Sequence, residues 1–196
     1  MANRIIGLKN IHIAKLNEDG SYETPVRLAG AKSLNTTNNS TETSFYSDDT
    51  MDFYSKGITS MEVEIELAYL DAKIEALITG KKFDETTGAL ISSSNDQAPT
   101  FALLYEASTL QEPIRRVIYE CILSRDEFSS STKTDSISEQ TIKLTGKAKP
   151  READGVFDLL LDKNKTEVKA TAWNNFFTTV MQPAGSSVLT ESKTAK

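Results

Sequence analysis

The clearest pattern of apolar and polar positions lies in "ITSMEVEIELAYL", Ile58 to Leu70, where Met61, Val63, Ile65 and Leu67 alternate with Glu62, Glu64 and Glu66. A period of two puts the apolar set on one face of a β-strand and three carboxylates on the other. The period then changes. Ile74, Leu77 and Ile78 fall at helical spacing, with Asp71 to cap the start and Gly80 to stop the end, which predicts one short helix. A hairpin turning near Thr87-Gly88 follows, then strands in "TFALLYEAS" (Thr100 to Ser108) and in Glu112 to Phe128, where Val117, Tyr119, Cys121 and Leu123 share one parity. In "SEQTIKLTGKAKP" Ile142 and Leu144 share a face opposite Thr141, Lys143 and Thr145. Upstream, "IHIAKL" and "YETPVRLAG" flank the turn-like "NEDG", and Pro25 marks the second run as a strand start or an edge. Asp154 to Trp173 gives another turn and strand. Trp173, Phe176, Phe177 and Val180 then form one stripe of a short helix that ends before Pro183. The sum predicts a mainly β chain of the α+β kind: an antiparallel β-sandwich or barrel with one or two short flanking helices and long extended loops. A single domain is expected over residues 1–184, with extended loops at 31–57 and 126–138 and a flexible tail at 185–196.

Between the first hairpin and the alternating strand runs "SLNTTNNSTETSFYSDD", Ser33 to Asp49, nearly devoid of apolar residues until it turns aromatic and acidic. A linker would need a domain on each side, and the roughly thirty residues before it are too few for one. The sequons at Asn35, Asn38 and Asn39 would matter only in an exported chain, and "MANRIIGLKN" is too short and too polar for a secretory signal. What remains is an arm that orders against a neighbour. Phe45, Tyr46, Phe53 and Tyr54, around Asp48, Asp49 and Asp52, have the composition of an interface core. The acidic cluster lacks the glycine and distal glutamate of a calcium loop. The Ser/Thr-rich Ser129 to Ser138 is a second candidate contact loop.

Composition narrows the chemistry. The 196 residues carry a formal net charge of −6, which argues against a surface built to grip phosphates. One cysteine, Cys121, permits no intrachain disulfide and no cysteine metal cluster, and one histidine, His12, would have to serve any His-dependent catalysis. Cys121 reads as a small apolar core residue and His12 as a solvated or satisfied structural residue in an alternating strand. No phosphate loop, dinucleotide fingerprint or hydrolase elbow occurs, and no apolar run reaches membrane-spanning length. The chain is expected to be a cytoplasmically made, soluble protein with no catalytic residue, cofactor or metal.

"GLKNIHIAKL", "SFYSDDTMDFYSKGITSMEVEIELAYL", "RRVIYECILSRDEFSSSTKTDSISEQTIKLTGKAKP" and "DGVF", in that order, resemble the major tail proteins of long-tailed phages, the phi13-type group. The likeness spans roughly Gly7 to Pro183 and rests on segment order and character. It implies a structural subunit, not an enzyme, that forms hexameric rings stacked into a hollow tail tube. The implied partners are other copies of itself, a tape-measure protein, a tail terminator and a distal tail protein, with DNA passing through the bore unbound and the product residing in the virion tail. In that setting Glu62, Glu64 and Glu66 are candidates to line the bore, and Phe45, Tyr46, Asp48, Asp49, Phe53 and Tyr54 to make inter-subunit contacts. The competing expectations are another ring-forming tail component, such as a terminator or a secretion-type tube protein, and a carbohydrate- or host-binding β-sandwich.

Overall fold

A computed structural model describes residues 3–47, 50–125 and 140–183. Among them lie strands β1 (Ile5–Lys15), β2 (Val26–Arg27), β3 (Ala31–Ser47), β4 (Thr50–Leu67), β5 (Lys82–Asp84), β6 (Ala89–Ile91), β7 (Thr100–Thr109), β8 (Ile114–Ser124), β9 (Ile142–Ala148) and β10 (Asp158–Asp162). Two helices accompany them, α1 (Ala72–Thr79) and α2 (Ala170–Asn174). Eight of the strands form one open antiparallel sheet in the order β2-β1-β7-β8-β9-β4-β3, with β10 also paired to β8, while β5 and β6 make a separate hairpin. The mainly β expectation with two short helices therefore holds.

The sheet is curled. β1 and β4 are separated by three strands, yet Ile11 and Ile13 share one core with Met61, Val63, Ile65 and Leu67, joined by Phe101, Leu103 and Leu144 and by Ile78 from α1. The opposite face of β1, β7 and β8 buries Ala14, Ala102, Leu104, Val117 and Tyr119 beneath Phe176 and Val180. Burial on both faces explains why the β7 segment reads as an unbroken apolar run, whereas β4, with one solvated face, alternates cleanly.

Several local signals act as their chemistry dictates. Asp71 caps α1, its Oδ1 accepting a 2.8 Å hydrogen bond from the Lys73 amide. Gly80 ends the helix at φ 74°, and a Cβ there would lie 2.0 Å from the Gln97 carbonyl oxygen. Pro25 stands just before β2, which is only two residues long. The aromatic stripe near the C-terminus is present, with Trp173, Phe176 and Val180 buried. Only Ala170–Asn174 is helical, however, and the stripe continues through turns. Asn174, Asn175, Thr178 and Thr179 are weak helix formers, so packing alone carries it onward.

Two expectations change. Segment 31–57 is not an extended loop: 31–47 is β3, paired residue by residue with β4, which begins at Thr50 rather than near Ile58. The Ser/Thr/Asn backbone finds its hydrogen bonds in that ladder, as backbone groups must. Val117, Tyr119, Cys121 and Leu123 also do not share a face. Glu120 has φ 43°, which shifts the parity by one and sends Val117 and Tyr119 to one core and Cys121 and Leu123 to the other. At the same point β8 exchanges its partner, pairing β10 through Ile118 and β9 from Cys121 onward. The expected loop at 126–138 and tail at 185–196 lie outside the described residues.

Candidate assembly surfaces

The β3–β4 hairpin divides into two parts. From Ala31 to Asn38 and from Met61 to Leu67 it belongs to the body of the sheet, because β9 pairs with β4 over Met61–Leu67. Beyond Met61 neither strand of the hairpin has another partner strand among the described residues. At about 3.3 Å per residue, the stretch from Ser60 to Thr50 projects on the order of 35 Å. Its β4 side is exposed from Thr50 to Thr59.

The four aromatics expected to make contacts fall at the end of this ribbon. Phe45 lies opposite Phe53 with ring centroids 5.6 Å apart, Ser44 opposite Tyr54, and Tyr46 opposite Met51. Phe45 is 60%, Tyr46 65%, Phe53 49% and Tyr54 53% exposed, and Met51 and Ile58 are exposed as well. Among the described residues nothing buries them. Lower on the ribbon Lys56 Nζ meets Glu42 Oε1 at 2.6 Å, and this ammonium, followed by the Tyr54 hydroxyl, holds the Glu42 carboxyl below its ordinary range. Asp48 and Asp49 lie outside the described residues, and Asp52 is exposed at the tip.

Glu62, Glu64 and Glu66 alternate with core residues on β4; Glu62 and Glu64 are exposed and Glu66 is half-buried. They do not form a purely acidic face. In the β4–β9 register Glu62 stands opposite Lys147 and Glu66 opposite Lys143. Lys143 Nζ lies 3.0 Å from Glu64 Oε1, and Asn39 Nδ2 donates to Glu62 Oε1 at 2.9 Å. Such exposed pairs are worth at most about 1 kcal/mol, so their role here is to balance charge. Toward β8 the same face forms a shallow groove around Ile122, Gly146, Lys147 and Lys149. Gly146 is needed there, since a Cβ would come within 2.5 Å of the Ile122 carbonyl oxygen.

The residues that sequence reading set aside from chemistry have structural surroundings. Cys121 is fully buried, and burial pushes its thiol up to about 12. His12 Nδ1 is 2.8 Å from the Asn10 carbonyl oxygen, its ring stacks on Phe177 at 4.7 Å, and desolvation lowers its pKa. Trp173 is buried beneath the Arg115 guanidinium, 4.0 Å from its ring, and so is not available to stack on a sugar. Among the described residues no group of three His, Cys, Asp or Glu side chains is placed to hold a metal. No helix among them is long and apolar enough to cross a membrane.

A family model for phage tail tube proteins matches residues 8–181. The chain belongs to the phage tail tube protein family. No curated protein matches. One similar solved structure is a chain of the anti-feeding prophage baseplate, 6-fold symmetrised; it is 12% identical with a TM-score of 0.40, over 82% of this chain and 97% of that one. As a tail tube family member the chain is a structural component of a phage tail. Sequence reading singled out the aromatic residues of the tip and the glutamate row as candidates. It missed Met51 and Ile58, which look like ordinary core residues until the hairpin is known to be free, and Lys143 and Lys147, whose register against β4 is a long-range property.

Proposed function

We propose that this chain is the repeating subunit of the tail tube, self-assembling into hexameric rings that stack into the conduit for genome delivery. The observation that supports the reading is the projecting end of the β3–β4 hairpin, a ribbon whose four aromatic side chains are exposed among the described residues. Exposed aromatic clusters of this kind mark interaction sites. The arm that sequence reading began at Ser33 begins near Ser40 in this account, because Ser33 to Asn38 pair with the buried part of β4. Phe45, Tyr46, Phe53 and Tyr54 make the inter-subunit contacts in this reading, together with Asp48 and Asp49.

Glu62, Glu64 and Glu66 line the bore in this reading. Six copies carry a formal charge of about −36, which keeps the wall from gripping DNA. Lys143 and Lys147 beside the glutamates moderate the field, giving a surface of mixed sign over which a polyanion slides without specific contacts. A tape-measure protein occupies the bore before DNA does, and a terminator and a distal tail protein cap the ends. The chain performs no catalysis: its one histidine and one cysteine are engaged in packing. The test replaces residues 40–58 by a two-residue turn, which leaves the core ladder intact. The expected result is a folded monomer that makes no tubes under negative-stain microscopy; tubes of normal appearance would refute the assignment.

A further inference from the structure

The outer side of the curled sheet is covered over only part of its width. Over β1, β7 and the first half of β8, Phe176 and Val180 pack on Leu104, Val117 and Tyr119. Ile122 follows Cys121, whose side chain lies in the inner core, so it points to that same outer side. There it is 44% exposed. Around it runs the shallow groove bordered by Glu62 and Glu64 on one side and by Lys147 and Lys149 on the other, with a mostly apolar floor and a volume of about 710 Å³. We propose that residues 184–196 fold back over this groove in the unassembled subunit, with Val188 and Leu189 against Ile122 and Gly146, and keep the face closed until assembly.

Residues 184–196 lie outside the described residues. Three observations select them as the occupant. The described chain runs out beside the groove. The Tyr119 hydroxyl donates to the Met181 carbonyl, Arg151 Nη2 donates to Gln182 Oε1 at 3.2 Å, and Gln182 Nε2 donates to the Gly20 carbonyl at 3.3 Å. Gly20 and Arg151 line a smaller hollow that shares Glu120 and Lys149 with the groove. The reach also fits. Arg151, which holds Gln182, is five residues from Gly146, a span of at most about 18 Å. Five extended residues carry the chain from Pro183 to Val188 over about 16 Å. The composition fits as well. Val188 and Leu189 are the one adjacent pair of large apolar residues in the segment, and Glu191 is followed by Lys193 and Lys196. Both signs of charge therefore meet a border that carries both.

The cover continues the one already present on β1, β7 and β8, since the chain that buries Tyr119 leaves at the groove's edge. It is held weakly. Burial of two aliphatic side chains is set against the ordering of about eight residues, so stronger contacts displace it. In the tube reading the glutamate face lines the bore, so the tail must leave the groove as the ring closes. That release, though not the seat itself, rests on the tube reading.

The test places the photoreactive phenylalanine analogue p-benzoylphenylalanine at Leu189 in the full chain, irradiated well below the concentration at which tubes appear. The expected product is a single chain whose crosslink maps to residues 120–124 or 145–149. Ile122→Asp and, separately, Val188→Asp should each lower its yield at least about tenfold. Ile122 is already half in water and Val188 follows the last core residue, Val180, so thermal unfolding should stay unchanged in both. Crosslinks that map elsewhere, that join two chains only, or that ignore both substitutions would overturn the seat. For the release, a chain ended after Pro183 should form tubes at a concentration at least about threefold lower than the full chain. An equal or higher concentration would overturn the restraint. Failure of both chains to form tubes under any condition would instead remove the tube reading and the release with it, while the single-chain crosslink still decides the seat.

Discussion

The double substitution Phe45→Ala with Phe53→Ala separates monomer stability from assembly. In the monomer the two rings lie 5.6 Å apart between centroids and remain 60% and 49% exposed. A pair of this kind contributes about 0.5–1.5 kcal/mol. For a domain of this size that is a fall of roughly 6 °C or less in Tm. Assembly responds differently. About 200 Å² per ring, weighted by the exposed fractions, leaves roughly 220 Å² to be buried by neighbours. At ~25 cal/mol/Å² that is about 5 kcal/mol, of which the alanines retain about 1. Because the entropic cost of docking is common to both proteins, the difference converts to a rise of about a thousandfold in the concentration at which tubes appear. Sedimentation of tubes across a concentration series measures it, with thermal unfolding of the unassembled protein alongside. An unchanged critical concentration would refute the contact assignment; a collapse in Tm would mean that the pair supports the monomer instead.

Gly80→Ala places a methyl group against the Gln97 carbonyl in a left-handed backbone and should cost more than about 2 kcal/mol in urea unfolding. Arg115→Ala removes the guanidinium that bridges Glu106 at 2.8 Å and covers Trp173; leaving that carboxylate buried without its partner should cost about 3–5 kcal/mol and shift Trp173 fluorescence to the red. His12 is held below its ordinary pKa by burial, so the unfolded chain binds the proton first as pH falls. The stability it contributes is complete above pH ~6.5 and is lost below that, down to the folded pKa. His12→Gln should therefore lose less stability than the natural chain between pH 7.5 and 5 in matched urea titrations. Lys143→Glu with Lys147→Glu, on the strand beside the glutamate row, should leave the monomer Tm within a few degrees, since exposed pairs are worth at most about 1 kcal/mol each.

The sequence is most legible where one face of an element meets water. Met61 to Leu67 could be assigned strand, face and burial from alternation alone, and Asp71 and Gly80 bracket α1 because their roles are set by local backbone chemistry. β3 was hidden for the opposite reason. Both of its faces are polar over much of its length, so it carries no period, and its strand state comes from a partner that begins across the turn. The parity change at Glu120 is a single backbone dihedral with no composition signal, and it reassigns the residues around it to different cores. At the candidate surfaces, residue type identified the aromatics. Only the register revealed that they occupy two faces, and that lysines from β9 interleave with the glutamates.

Cryo-electron microscopy of the purified, concentrated protein tests the central claim most directly. The account predicts hollow tubes of stacked six-fold rings, with residues 40–58 of each copy packed against other copies and Glu62, Glu64 and Glu66 facing the bore. Protein that remains monomeric at high concentration, or tubes whose ribbon tips stand free in solvent, would contradict it.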